Sequence, residues 1–144
     1  MSDRSNCAQG QQRQKTLIII KPDAVEKRVV GNIISRFEKE GFQIEDMKLV
    51  NIDKKLASKH YSEHKEKDFF STLIDYITSG KSLVLVASRP DAIKKAREMM
   101  GPTDCRLAKK GTIRGDFGKD ITINVIHGSD SPQSAKKEID LFFG

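Results

Sequence analysis

A histidine near the end of the chain has the setting of a reactive side chain. His127 follows an apolar stretch and precedes the small and acidic residues Gly128, Ser129 and Asp130. Ile121, Ile123 and Val125 alternate with Thr122 and Asn124, which predicts a strand with one buried face that His127 leaves at its end. Gly128 lets the backbone bend or approach a ligand closely, and Ser131-Pro132 reads as an N-cap and first helical residue. Histidine has a reference pKa of about 6.5, so near neutral pH an imidazole is mostly unprotonated and nucleophilic. Spacing alone also fits a plainer role, since a lone histidine at a strand end is commonly just a hydrogen-bonded residue.

The pattern Asn124-x-x-His127-Gly128-Ser129-Asp130 resembles the active-site signature of nucleoside diphosphate kinases. The agreement continues through residues 16–25 (TLIIIKPDAV), residues 111–116 (GTIRGD) and the helix containing Glu138, about nine-tenths of the chain. The resemblance implies ping-pong transfer of the terminal phosphoryl group of a nucleoside triphosphate to His127 Nδ1 and then to a nucleoside diphosphate. In that scheme Glu138 orients the ring through Nε2, Ser129 supports Glu138, and Lys21 lies near the transferred group. Arg97, Thr103 and Arg114 hold the distal phosphates, for which the planar arginine fork is well suited. Tyr61 closes the site near the phosphohistidine, Phe69 stacks on the base with Leu73 at the same mouth, and Asn124 and Lys21 hold the ribose hydroxyls. Stacking does not distinguish one base from another, so broad nucleotide tolerance is expected. Magnesium is expected to enter with the nucleotide phosphates, because the sequence offers no carboxylate cage and no residue is assigned as a metal ligand.

The elements that must position these residues follow from periodicity. Residues 16–20 form a short apolar strand ended by Lys21-Pro22, and residues 31–40 a helix stopped by Gly41. Phe42, Ile44, Met47, Leu49 and Ile52 predict a second strand with one phase slip, a bulge. Residues 54–79 suit two short helices, residues 81–88 a third strand, and residues 91–100 a helix carrying Arg97. Residues 101–117 show no clear period, and a last helix over residues 132–142 buries Ala135, Ile139 and Phe142. This order suits a parallel doubly wound sheet as well as an antiparallel one. The resemblance implies the latter: a ferredoxin-like α/β sandwich, a four-stranded antiparallel sheet covered by helices. It also implies a homo-oligomer, tetramer or hexamer, with the long loop in subunit contacts. Relatives commonly extend beyond the position where this chain ends, Gly144, so less support from a tail between subunits is expected. In the long loop, Cys105 and Lys110 stand where relatives often carry proline. The loop is therefore expected to be less stiff, and Cys105→Pro to stabilise it if its φ suits proline and its amide is unbonded.

At 144 residues the chain fits one domain, expected over residues 15–144, after a polar tail of residues 1–14. Two cysteines, Cys7 and Cys105, are too few to staple the fold and fit reduced thiols. No apolar run is long enough to cross a bilayer and none resembles a signal segment, so a cytoplasmic protein is expected. A net charge of +6 favours anionic partners, nucleotides or, secondarily, nucleic acid. The aromatic strand motif of RNA-recognition modules is absent, as are the P-loop and the H-R-D loop of other kinases. His60 and His64 lie four apart, but without a third ligand they do not make a zinc motif. Arg114-Gly-Asp116 reads as part of the phosphate loop and not as an adhesion tripeptide, and the intact set of matching residues argues against a catalytically silent scaffold.

Overall fold

A computed structural model of the chain describes residues 13–144; most of the expected tail, with Cys7, lies outside the described residues. Arg13 and Gln14, expected in the tail, belong to the first strand, β1 (Arg13–Ile20), pairing with Pro90 and Arg89. The remaining strands are β2 (Gln43–Asn51), β3 (Lys81–Pro90) and β4 (Ile126–Gly128), and the sheet order is β2-β3-β1-β4. Every pairing is antiparallel, with Ile18 opposite Leu85 and Ile19 opposite His127. This is the four-stranded antiparallel α/β sandwich that the resemblance implied, and the register slip in β2 falls between Ile44 and Asp46.

Both faces of the sheet are covered, which explains why β1 and β3 read as continuous apolar runs instead of alternating. Ile18, Ile20, Leu83 and Leu85 pack on one side with Ile33 and Phe37 of α2 (Val30–Lys39) and Ala96 and Met100 of α5 (Ala92–Met100). Leu17, Ile19, Val84 and Val86 face the other side. They meet Ala57 of α3 (Lys54–His60), Ile74 and Ile77 of α4 (Phe70–Ile77), and Phe142 of the last helix, Pro132–Phe143. Antiparallel strands usually alternate because one face meets water; here neither central strand does.

Three departures from the sequence reading matter for the site. Pro22 opens a short helix, α1 (Pro22–Glu26), where only a strand end was expected. The long irregular segment contains a 3₁₀ turn at Cys105–Leu107 and a five-residue helix, α6 (Ile113–Phe117), capped by the Thr112 hydroxyl. Cys105 there donates its amide to Asp120 O at 3.5 Å, so the condition for a stabilising proline fails.

The third departure is the largest: residues 121–125 are not a strand. The Asp120 carboxylate accepts from the amides of Thr122 and Ile123 at 2.8 Å each, and the Asn124 side-chain amide donates to Ile121 O. Side chains that bond nearby backbone compete with a sheet ladder, and the alternating pattern loses to them here. Val125 then takes a left-handed φ of 61°, with the Ile126 amide donating to Asn124 O at 2.7 Å across a tight turn. Only after that turn does β4 begin, so His127 sits inside a strand instead of leaving one. Gly128 also lies in β4, where a Cβ would come within 2.7 Å of Met100 Sδ, and it lines the cleft described below. The last helix, α7 (Pro132–Phe143), is capped by the Ser131 hydroxyl as expected; Ala135 and Phe142 are buried, while Ile139 is half-buried.

Candidate active site

β4 and α7 together place the histidine and its partner. Antiparallel pairing with Ile19 fixes the His127 backbone, and the turn at residues 129–131 brings α7 back alongside, so Glu138 faces the ring. His127 Nε2 lies 3.1 Å from both Glu138 carboxylate oxygens. A carboxylate can only accept from the ring, so this contact assigns the proton of the neutral imidazole to Nε2 and leaves the lone pair on Nδ1. Ser129 is fully buried, donates to Glu138 Oε1 at 2.7 Å and accepts from the Leu17 amide at 3.1 Å. The carboxylate is therefore itself held, through Ser129, from the backbone of β1.

Lys21 leaves the tip of β1 into the same space, and its backbone amide donates to Val125 O at 2.8 Å. Its ammonium is buried and donates to Asn124 Oδ1 at 2.8 Å. Burial pushes its pKa down to about 7, and the Arg114 charge adds to the effect. Arg114 is 6 % exposed, and its guanidinium donates to the carbonyls of Asn124, Gly101 and Ile126 at 3.4, 3.0 and 2.7 Å. Those carbonyls are dipoles and not counter-charges; burial lowers its pKa to about 10, so it stays cationic at neutral pH. Among the described residues, neither Lys21, Arg97 nor Arg114 has a carboxylate within ion-pair distance.

These groups line one cleft of about 410 Å³ together with Tyr61, Phe69, Leu73, Thr103, Asn124, His127 and Glu138. Ser129 lies behind it, reaching the cleft only through Glu138. Arg97 and Thr103 are exposed at the rim; the Thr103 carbonyl accepts from the Asn124 amide at 3.1 Å. Tyr61 is 8 % exposed, its hydroxyl lacks a partner among the described residues, and burial pushes its pKa up to about 12. It is therefore a phenol with a proton to donate. Phe69, 46 % exposed, forms one lip of the cleft and Leu73, one turn further along α4, is half-buried beneath it.

One residue that the sequence reading weighed only as a metal ligand with His64, and set aside, lines the cleft beside the nucleophile. The His60 ring meets the His127 ring edge-on, with centroids 4.7 Å apart at 86°, and its Nδ1 is 4.0 Å from Glu138 Oε2. Burial lowers its pKa to about 2. His60 and His64 do not share a helix face, because α3 ends at His60 and His64 lies in a separate 3₁₀ turn, Ser62–His64. Asp130 at the cleft mouth was read only as part of the His127 motif, and Ile121 and Thr122 only as strand residues.

Fold and cleft define an α/β sandwich protein whose cation-lined pocket, holding an oriented imidazole, is suited to an anionic ligand. Comparison with known proteins narrows the class. The sequence model of the nucleoside diphosphate kinase family matches residues 14–144. A nucleoside diphosphate kinase of Halalkalibacterium halodurans is 52 % identical over 130 residues, covering 90 % of this chain and 88 % of that protein. One from Thermococcus kodakarensis is 55 % identical over 135 residues, covering 92 % and 78 %. Among solved structures, the Aquifex aeolicus nucleoside diphosphate kinase superposes with a TM-score of 0.89 at 44 % identity, covering 92 % of this chain and 96 % of the other. The Halobacterium salinarum enzyme in complex with CDP gives 0.90 at 41 % identity, covering 92 % and 88 %. The chain belongs to the nucleoside diphosphate kinase family, and it is an enzyme of that family.

Proposed function

We propose that the chain moves the terminal phosphoryl group of a nucleoside triphosphate onto His127 Nδ1 and from there to a nucleoside diphosphate. Family membership supports phosphate transfer between nucleoside tri- and diphosphates. The observation that carries the two-step route is the 3.1 Å contact of His127 Nε2 with Glu138, which leaves Nδ1 as the ring nitrogen with a free lone pair. In the first step Nδ1 attacks the γ-phosphorus and the bond to the β-bridging oxygen breaks, releasing the diphosphate. Positive charge on the ring is balanced by Glu138, which Ser129 holds in place. In the second step the diphosphate acceptor takes the same phosphoryl group, and His127 returns to its starting form.

The cleft cations supply what the transferring group needs in charge. Lys21 and Arg114, buried and without carboxylate partners among the described residues, are poised for phosphate oxygens, with Arg97 and Thr103 at the rim of the same cleft. Tyr61 offers its phenolic proton beside His127. The half-exposed Phe69 gives the base a stacking surface with Leu73 beneath it, while Asn124 and Lys21 are placed for the ribose hydroxyls. The halobacterial relative is in complex with CDP, which supports a nucleotide as this chain's ligand. Magnesium comes bound to the nucleotide as part of the substrate: oxygen-rich carboxylate sets suit it, and the cleft offers mainly cations and imidazoles. A homo-oligomer, tetramer or hexamer, in the cytoplasm completes the reading.

Incubation with γ-labelled ATP and magnesium, without acceptor, tests the intermediate. One label per chain in an acid-labile, base-stable linkage, absent in His127→Ala, is expected; label that survives acid or persists in the variant rejects the mechanism.

A further inference from the structure

Behind the nucleophile the structure gathers three metal-ligating groups that the phosphotransfer scheme does not fully use. The His60 side chain is only 3 % exposed, yet its Nδ1 has no hydrogen-bond partner among the described residues. An imidazole nitrogen left unpaired in a buried place is costly. This one is aimed at a carboxylate 4.0 Å away, too far for a hydrogen bond. His127 Nε2 lies on the same carboxylate at 3.1 Å, and one ligand atom from each of His60, His127 and Glu138 can be chosen so that all lie within 4.8 Å of one another.

We propose that His60, His127 Nε2 and Glu138 form a site for a divalent transition-metal ion, zinc above all, and that its occupancy shuts off phosphoryl uptake. Zinc bonds of about 2.0 to 2.2 Å to nitrogen and oxygen put tetrahedral ligand atoms ~3.3 Å apart. The observed separations bracket that value, so a small approach of His60 and Glu138 closes the set. Two imidazoles and one carboxylate, with a fourth position open to the cleft for water, match the donor preference of zinc. Magnesium, which favours oxygen, is not drawn to two ring nitrogens. The cations Lys21, Arg97 and Arg114 oppose any ion here, which further favours one that bonds strongly to nitrogen.

The consequence follows from imidazole chemistry. In the free site the Nε2–H donates to Glu138 and Nδ1 carries the lone pair. A metal ion on Nε2 replaces that proton, and the one proton of the neutral ring then resides on Nδ1. Nδ1 has no lone pair left for attack, and Glu138 is drawn from the ring to the ion. Zinc thus holds the ring in the tautomer opposite to the one that phosphorylation needs. The binding site rests on geometry alone; the loss of phosphoryl uptake rests on the reading of His127 as nucleophile.

Zinc chloride is titrated calorimetrically into the reduced, nucleotide-free, full-length protein in a non-chelating buffer, with magnesium present throughout. Wild type is expected to show one more zinc site per chain than His60→Gln or Glu138→Gln. Equal site numbers overturn the proposal. Because either variant could fold poorly, the wild-type protein labelled with ¹⁵N-histidine gives a second readout. Zinc should shift His127 Nε2 and one ring nitrogen of His60 at one equivalent; unchanged ring resonances at saturation overturn the site. Label uptake from ATP is then measured at increasing zinc. Normal uptake without zinc, falling in step with site occupancy and returning on zinc-selective chelation, is the expected result. Uptake indifferent to an occupied site rejects the tautomer argument. Absence of uptake even without zinc rejects the nucleophile reading while leaving the metal site standing.

Discussion

Burial holds the Lys21 ammonium at a pKa of about 7, against 10.5 for the free side chain, and Arg114 pushes in the same direction. Charging this amine in the empty cleft costs stability that is fully felt below pH 7. The cost is relieved as pH rises from about 7 to 10.5, where the unfolded chain binds the extra proton and the folded one does not. A triphosphate or diphosphate in the cleft reverses the balance and draws the proton back onto Lys21. Nucleotide binding at pH 7.5 is therefore expected to take up more than about half a proton per site. Calorimetric titration of magnesium ADP in buffers of high and low ionisation enthalpy measures this directly, and Lys21→Gln should lose the uptake. Identical heats in both buffers would exclude a titrating Lys21. Sequence could single out His127 by its motif and Lys21 by its strand tip, whereas Glu138 was named only through the family resemblance. It could not show that Lys21 is buried or that His60 lies against His127, since both facts depend on which helices close over the sheet.

At the scale of elements, the apolar runs of β1 and β3 and the slip in β2 were readable because burial leaves a direct imprint on residue order. Residues 121–125 were misread because Asp120 and Asn124 satisfy the local backbone themselves, a competition that hydrophobic alternation does not register. The 3₁₀ turn at Cys105–Leu107 was likewise invisible to periodicity. Cys105 donates to Asp120 O and is buried, with its Sγ only 2.0 Å from where a Cβ on Gly118 would sit. Cys105→Pro removes the donor and that close-packed thiol, so a loss of about 1 to 3 kcal/mol is expected. Thermal unfolding under reducing conditions should show a lower midpoint than wild type; a higher one means the loop tolerates proline after all. At the rim, Phe69, the residue that caps α4, offers an exposed aromatic ring to the cleft. kcat/KM is accordingly expected to vary modestly among adenine, guanine, cytosine and uracil diphosphates. Differences of several thousandfold would require hydrogen-bond discrimination and would reject stacking alone. Phe69→Ala should weaken all four nucleotides together, by about 1 to 3 kcal/mol.

For the whole molecule, the sheet order puts β2 at one edge and β4, which carries His127, at the other. Met47 and Leu49, two apart on β2, are 51 % and 54 % exposed, an apolar pair on an edge strand whose outer side is unpaired among the described residues. An open apolar edge invites pairing with another strand unless it is covered, and a second copy of β2 across a two-fold axis would cover it. One such interface closes a dimer, whereas a tetramer or hexamer requires another surface. Leu107 and Ile121, 73 % and 56 % exposed, are further apolar side chains open to solvent. Light scattering at micromolar concentration is therefore expected to give a tetramer or hexamer for the wild-type chain. The double substitution Met47→Lys and Leu49→Lys should lower the mass to that of the assembly held by the remaining interface. Circular dichroism should be unchanged, because both side chains are solvent-facing in the isolated chain, and His127 should still take up label, because β4, which carries it, is the other edge strand. A wild-type monomer would remove the assembly argument altogether, and an unchanged mass in the double variant would move the interface away from β2.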